Sequence, residues 1–143
     1  MSLTRRFLLA GGALVPLAAS NAHATPVQVE MLIRQLIGDG RVEKGKIKLE
    51  LPLLVENGNT VAMTVSVDAP VGAVDSLHVF AGGNPLPEVL RWKFGPRAGV
   101  PSVQTRIRLA TSQIVTAVAK MRDGTFRQDS IELLVTLAAC IDD

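Results

Sequence analysis

The sequence predicts a mainly β domain: an immunoglobulin-like antiparallel β-sandwich of about seven strands, preceded by one amphipathic helix. Three observations lead there. From residue 46 onward apolar residues recur with a period of two, in short runs bounded by Gly-, Pro- and Asn-rich turns. No helical spacers separate these runs, which argues against a doubly wound α/β sheet. At 143 residues and 48% hydrophobic content, the chain has material for one domain and is far too apolar for a disordered tail.

Residues 1–24, MSLTRRFLLAGGALVPLAASNAHA, read as an export signal. Arg5 and Arg6 form a basic start, an apolar run extends from Phe7 to Ala19, and Ala22-His23-Ala24 is a small-x-small cleavage site. The run is shorter than the roughly 20 apolar residues of a membrane span and is interrupted by Pro16. Thr4-Arg5-Arg6-Phe7-Leu8-Leu9 resembles a twin-arginine signal, with the general export route as the alternative. Cleavage after Ala24 leaves residues 25–143 as the domain. The two lost arginines reduce 15 basic residues to 13, against 13 acidic ones. The sequence pI near 9.0 therefore belongs largely to the leader, and the domain lacks the cationic excess of a nucleic-acid binder.

Within the domain, Thr25-Pro26-Val27-Gln28 has the form of a helix start: an N-cap, proline at the first helical position and Gln to close a capping box. Val29, Leu32, Ile33, Leu36 and Ile37 follow at three- and four-residue spacing, and Gly38 and Gly40 end the run. This stripe must be buried, either across one end of the sheet or against another chain. Ile47, Leu49 and Leu51 then alternate with charged residues, and Val61, Met63, Val65 and Val67 alternate with small polar ones. Glu56-Asn57-Gly58-Asn59 offers the turn between them. Further strands are expected at 74–80, 89–94, 103–110, 113–121 and 130–139, with Leu90, Trp92 and Phe94 on one face and an Asp123-Gly124 turn between the last two.

Little conventional chemistry is available. A single cysteine excludes an intramolecular disulfide, a Cys-x-x-Cys redox site and a zinc-thiolate cluster. Removal of the leader leaves His78 as the only histidine, alternating with Leu77 and Val79, and it reads as an ordinary strand residue with no partner for a metal site or triad. Asp68 and Asp75 read as solvent-facing loop carboxylates. Gly82-Gly83 lacks the Lys-Ser or Lys-Thr of a phosphate loop. No catalytic residue, metal site or cofactor is expected. Arg106 and Arg108, with Gln104, fall on one strand face, read either as a wet sheet surface or as an anion or partner contact. Cys140 is unusual as a free thiol in an exported chain. The residues alone leave two readings of it open: a reactive terminal thiol, or a small apolar group tucked into a core edge.

Phe94-Gly95-Pro96 with Gly99, Val103-Gln104-Thr105-Arg106-Ile107-Arg108-Leu109-Ala110, Gln113-Ile114-Val115 and the terminal Val135-Thr136-Leu137-Ala138-Ala139-Cys140 resemble the SoxY family. SoxY is the sulfur-carrier subunit of the Sox thiosulfate-oxidising system. The similarity runs from about Pro26 through the mature chain. It implies a carrier rather than an enzyme: a periplasmic subunit that holds thiosulfate-derived sulfur covalently on Cys140, pairs with a SoxZ-like subunit as a heterodimer and docks transiently on Sox enzymes. The stripe Val29, Leu32, Ile33 and Leu36, or the apolar sheet face, would then serve core and partner contacts. The family places its cysteine in Gly-Gly-Cys-Gly-Gly, whereas here Ala138 and Ala139 precede it and Ile141, Asp142 and Asp143 follow. Alanine and isoleucine restrict an arm that glycine would leave free, and the carboxylates repel anionic sulfur. The alternative is a non-catalytic immunoglobulin-like subunit that binds a partner and whose cysteine is structural.

Overall fold

The computed structural model describes residues 25–139; residues 1–24 and 140–143, and with them the export signal and Cys140, lie outside the described part. One helix and nine strands follow in order: α1 (Pro26–Ile37), β1 (Val42–Lys44), β2 (Ile47–Glu50), β3 (Leu54–Val55), β4 (Val61–Val67), β5 (Val74–Ala81), β6 (Glu88–Lys93), β7 (Ser102–Ile107), β8 (Gln113–Met121) and β9 (Phe126–Val135). They form two sheets. The larger has the order β1-β9-β8-β5-β6, with β3 also paired to β9; the smaller is β2-β4-β7. No helix among the described residues is long and apolar enough to cross a membrane.

The period-two pattern works as expected. Ile47 and Leu49 in β2, the odd-numbered residues Val61 to Val67 in β4, and Val103 and Ile107 in β7 face inward. They meet Leu77, Val79, Val115, Ala117, Ala119 and Leu133 of the larger sheet in one continuous core. The core-facing positions at the centre of β8 are the small, fully buried Ala117 and Ala119. The β8–β9 hairpin turns at Asp123-Gly124, where Gly124 has φ of 86° and Asp123 Oδ1 accepts from the Thr125 N–H at 2.8 Å.

The fold departs from the seven-strand antiparallel expectation in three ways. Two additional strands, β1 and β3, both run parallel to β9, with Val42 opposite Phe126 and Leu54 opposite Leu134. Between them the chain leaves this sheet to make β2 in the other. Three- and two-residue strands are too short to carry an alternation signal, so only the pairing with β9 reveals them. The last strand also begins and ends four residues earlier than expected, at Phe126–Val135 rather than 130–139. Finally, Trp92 lies opposite the buried Leu77 but is 49% exposed, because β6 is an edge strand with no further strand beyond it among the described residues.

The helix stripe packs against the outer face of the larger sheet, not across its end, with Val29 buried and the rest of the stripe half-buried. Val29, Leu32, Ile33, Leu36 and Ile37 pack on Phe80, Val118 and Phe126, one large side chain from each of three adjacent strands. These outward apolar residues make that face a second, smaller core layer, which covers the stripe in part. At its start Gln28 Oε1 accepts from the Thr25 N–H at 3.0 Å, and Pro26 occupies the first turn.

Candidate functional site

The site is built from the end of β9 and the loops that hold it. The Val135 N–H donates to Ser112 Oγ at 2.9 Å, and the Thr136 N–H donates to the Val55 carbonyl at 2.9 Å. Past the sheet, the Gly58 N–H donates to the Leu137 carbonyl at 2.8 Å, and the Ala139 N–H donates to the Leu109 carbonyl at 3.2 Å. Leu109 is itself tied back, its N–H donating to the Gly58 carbonyl at 2.8 Å. Residues 135–139 are therefore fastened almost residue by residue, and Ala139 is 9% exposed. Cys140 follows directly in the chain.

Gly58 makes this clamp possible. A Cβ there would stand 2.3 Å from the Leu109 carbonyl oxygen and 2.9 Å from the Ala139 nitrogen, so no larger residue fits between the two segments. Its sequence signal was a turn glycine; its role is close backbone approach.

The Leu109 side of the clamp is held by a buried amide network. Asn84, 5% exposed, donates from Nδ2 to the Arg108 carbonyl at 2.8 Å. Its Oδ1 accepts from the Ala110 N–H at 2.9 Å and from Gln113 Nε2 at 3.1 Å. Gln113 Oε1 in turn accepts from the Gly83 N–H at 2.7 Å. These bonds join the 82–85 and 108–113 loops into one unit. Gly82-Gly83-Asn84-Pro85 reads in the sequence only as a turn-rich linker, so Asn84 carried no signal there beyond its presence in a turn.

Arg106 and Arg108 are both exposed. Arg106 lies opposite Ala62, with Gln104 opposite Thr64, on the outer face of the smaller sheet. Ala62, Thr64, Gln104 and Arg106 line a shallow depression of about 310 Å³ there. Neither arginine belongs to any of the ion pairs among the described residues. The structure places Arg106 in β7, which ends at Ile107 rather than at the expected 110, and Arg108 just beyond it, next to Leu109, whose carbonyl receives the Ala139 N–H.

His78 is a buried, satisfied strand histidine. Its Nδ1 donates to Glu88 Oε1 at 2.8 Å, and its Nε2 lies 3.2 Å from Ser76 Oγ. Arg91 grips the same carboxylate with Nε at 2.9 Å and Nη2 at 2.7 Å. The Arg91 guanidinium, against some opposition from burial and with help from His78, holds the Glu88 carboxyl below the usual carboxylate range. Among the described residues no group of three or more His, Cys, Asp or Glu could hold a metal ion. A groove of about 760 Å³ separates α1 from the outer face of β8 and β9, lined by Ile33 and Arg34 on one side and Ile114, Glu132 and Leu134 on the other.

A family model for the sulfur oxidation protein SoxY matches residues 33–140, ending on the cysteine itself. The chain belongs to the SoxY family. Among solved structures, the sulfur carrier protein SoxY from Chlorobium limicola f thiosulfatophilum is similar over 78% of this chain and 98% of that one, with 24% identity and a TM-score of 0.65. The superoxide reductase (neelaredoxin) from Ignicoccus hospitalis covers 80% of this chain and 95% of its own, at 20% identity and a TM-score of 0.55. The superoxide reductase from Nanoarchaeum equitans covers 66% and 99%, at 14% identity and a TM-score of 0.53. At these identities the likenesses show a shared sandwich fold. No curated protein sequence matches. Membership in the SoxY family carries the general role of a sulfur-carrier subunit.

Proposed function

We propose that this chain is a periplasmic carrier that holds thiosulfate-derived sulfur covalently on Cys140 and presents it to Sox enzymes, working as a heterodimer with a SoxZ-like subunit. The observation that carries this reading is the reach of the family match to Cys140, directly after a segment fastened up to Ala139. A carrier needs its thiol at the edge of a rigid body, where a partner can approach without unfolding it. Residues 1–24 supply the export signal of this reading, with cleavage after Ala24.

Loading by thiosulfate joins the Cys140 sulfur to the outer sulfur of thiosulfate. One thiol proton is lost, and two electrons pass to an oxidant, here a redox partner protein. Tetrathionate achieves the same adduct without an external oxidant, because the Cys140 thiolate displaces one thiosulfate from it. Chain 25–143, alone and with its SoxZ-like partner, is therefore treated with tetrathionate and weighed intact. A thiosulfonate adduct on the natural chain that is absent from Cys140→Ala supports the carrier. A thiol that stays unreactive in both the isolated chain and the complex overturns it. That outcome favours the second reading, a partner-binding subunit with a structural cysteine, which the burial of Ala139 makes specific.

A further inference from the structure

Positive charge is concentrated in one stretch of the chain. Between Glu88 and Asp123 stand seven Lys or Arg residues and not one Asp or Glu. The stretch begins in β6, the edge strand of the larger sheet. Arg91, Trp92 and Lys93 are all exposed, so no described loop covers that edge. The Phe94 N–H donates to the Asp75 carbonyl of β5 at 2.9 Å. Backbone direction alternates along a strand, which turns the N–H and C=O groups of Arg91 and Lys93 away from β5, where no described strand pairs with them. Side chains alternate as well. Trp92 lies opposite the core residue Leu77 and continues the inner face, whereas Arg91 and Lys93 lie opposite His78 and Ser76 on the outer face. Lys93 has no ion pair among the described residues and shares its cross-strand row with Lys120, one on each side of Ser76. β5 and β6 contain two acidic residues: Glu88, taken up by Arg91 and His78, and Asp75, at an irregularity of the ladder just before Ser76.

We infer that β6 takes up an additional strand from another protein, an extended segment in which Asp or Glu alternates with apolar residues. Backbone pairing with Arg91 and Lys93 supplies the attachment, and the alternation follows from the two faces of the edge. Acidic side chains on the outer face meet Arg91 and Lys93, while apolar ones on the inner face close over Trp92 and extend the core. Edge cations by themselves serve to discourage self-pairing, but that protection gives no reason for an exposed tryptophan between them. A second copy of this chain does not fit the edge. In the registers of fullest overlap that keep the outer faces continuous, two antiparallel β6 edges set Arg91 against Arg91 or Lys93 of the other copy, and like charges directly opposite destabilise a ladder. The inference goes beyond the carrier reading and agrees with it. β6 is three strand spacings, about 14 Å, from β9, so an added strand lies on the far edge from the segment fastened up to Ala139.

Trp92 is the single tryptophan of the chain, so its fluorescence reports this edge alone. The probe is a short synthetic peptide alternating Glu with Val. Its controls are a peptide alternating Lys with Val, and a Glu-Val peptide N-methylated on every second residue, which keeps the charge but cannot complete a ladder. The Glu-Val peptide should shift Trp92 emission to the blue. At ten times its Kd it should also slow amide exchange of Arg91 and Lys93, read by NMR, by about ten-fold. Lys93→Glu, at an exposed position whose fold is checked by a thermal melt, should weaken binding by about three- to ten-fold. Added salt should weaken binding to the natural chain more than to the variant. No blue shift with no slowed exchange, equal binding of either control peptide, or an unaffected Lys93→Glu variant would each overturn the added strand. So would an equal response to sodium sulfate at matched ionic strength, which marks a simple anion site, or protection of the same amides in concentrated protein without peptide, which marks self-pairing. No readout involves sulfur loading, so failure here is distinct from failure of the carrier reading.

Discussion

Replacing Gly58 with alanine removes the clamp on the segment leading to Ala139 at its tightest point. The new Cβ would lie 2.3 Å from the Leu109 oxygen, 2.9 Å from the Ala139 nitrogen and 3.2 Å from the Leu137 oxygen, all backbone atoms of other segments. No side chain can rotate away to relieve this, so the segments must part. Parting endangers three hydrogen bonds: Gly58 to Leu137, Leu109 to Gly58 and Ala139 to Leu109. At about 1 kcal/mol each, losing two or three costs about 2–3 kcal/mol. If the cost falls locally, amide exchange across residues 136–139 should quicken by about 30- to 150-fold, since about 1.4 kcal/mol is tenfold. If it falls on the whole domain, Tm should drop by about 8–12 °C, near 4 °C per kcal/mol for this size. Hydrogen exchange with mass-spectrometric peptide mapping, beside a thermal melt, separates the two. Gly95→Ala is the control, because its Cβ meets nothing within 4 Å. Unchanged exchange at 136–139 together with an unchanged Tm would refute the idea that this contact fastens the C-terminal segment.

Three further outcomes are expected. Asn84→Ala deletes three hydrogen bonds from a buried side chain and should cost about 2–4 kcal/mol, seen as a lower urea midpoint; a loss under about 0.5 kcal/mol would mean that the two loops hold without it. Phe126→Ala empties the floor beneath α1 and should cost about 3–5 kcal/mol, accompanied by faster exchange in Val29–Ile37; unaltered helix protection would contradict the second core layer. Glu88 has a lowered folded-state pKa, so its contribution is present above the ordinary carboxylate value of 4.5 and is lost as pH falls through the lower folded value. Glu88→Gln should flatten that part of the acid limb in Tm measured against pH, and parallel limbs for the two proteins would count against the Arg91–Glu88–His78 arrangement.

What the sequence made legible were the features encoded in local periodicity. The strands at Val61–Val67 and Gln113–Met121, the stop at Gly38 and the Asp123-Gly124 turn all follow from spacing and turn chemistry among neighbouring residues. β1 and β3 were not legible, because a strand of two or three residues exists only through its partner some eighty positions away. The helix stripe was visible, but its destination depended on Phe80, Val118 and Phe126 facing outward together, a juxtaposition set by pairing. The same holds at the candidate site. Arg106, Arg108 and Cys140 could each be singled out, yet nothing local says that the chain just beyond β7 reaches the residue that receives the Ala139 amide. Asn84 and Gly58, which make that meeting possible, read as ordinary turn residues.

The position of β9 has a consequence for biogenesis. This strand is joined by β1 near its beginning and by β3 near its end, while β8 lies along its other side. The N-terminal strands β1 and β3 therefore wait, unpaired, until the last part of the domain has been synthesised. Such distant pairings delay closure of the sandwich. A nascent chain ending before Phe126 has no surface on which β1 or β3 can be a strand. The strand that completes the sheet also leads, five residues after its end, to Cys140. The segment fastened up to Ala139 and the finished domain thus arise together, and an incompletely folded chain has no such clamp.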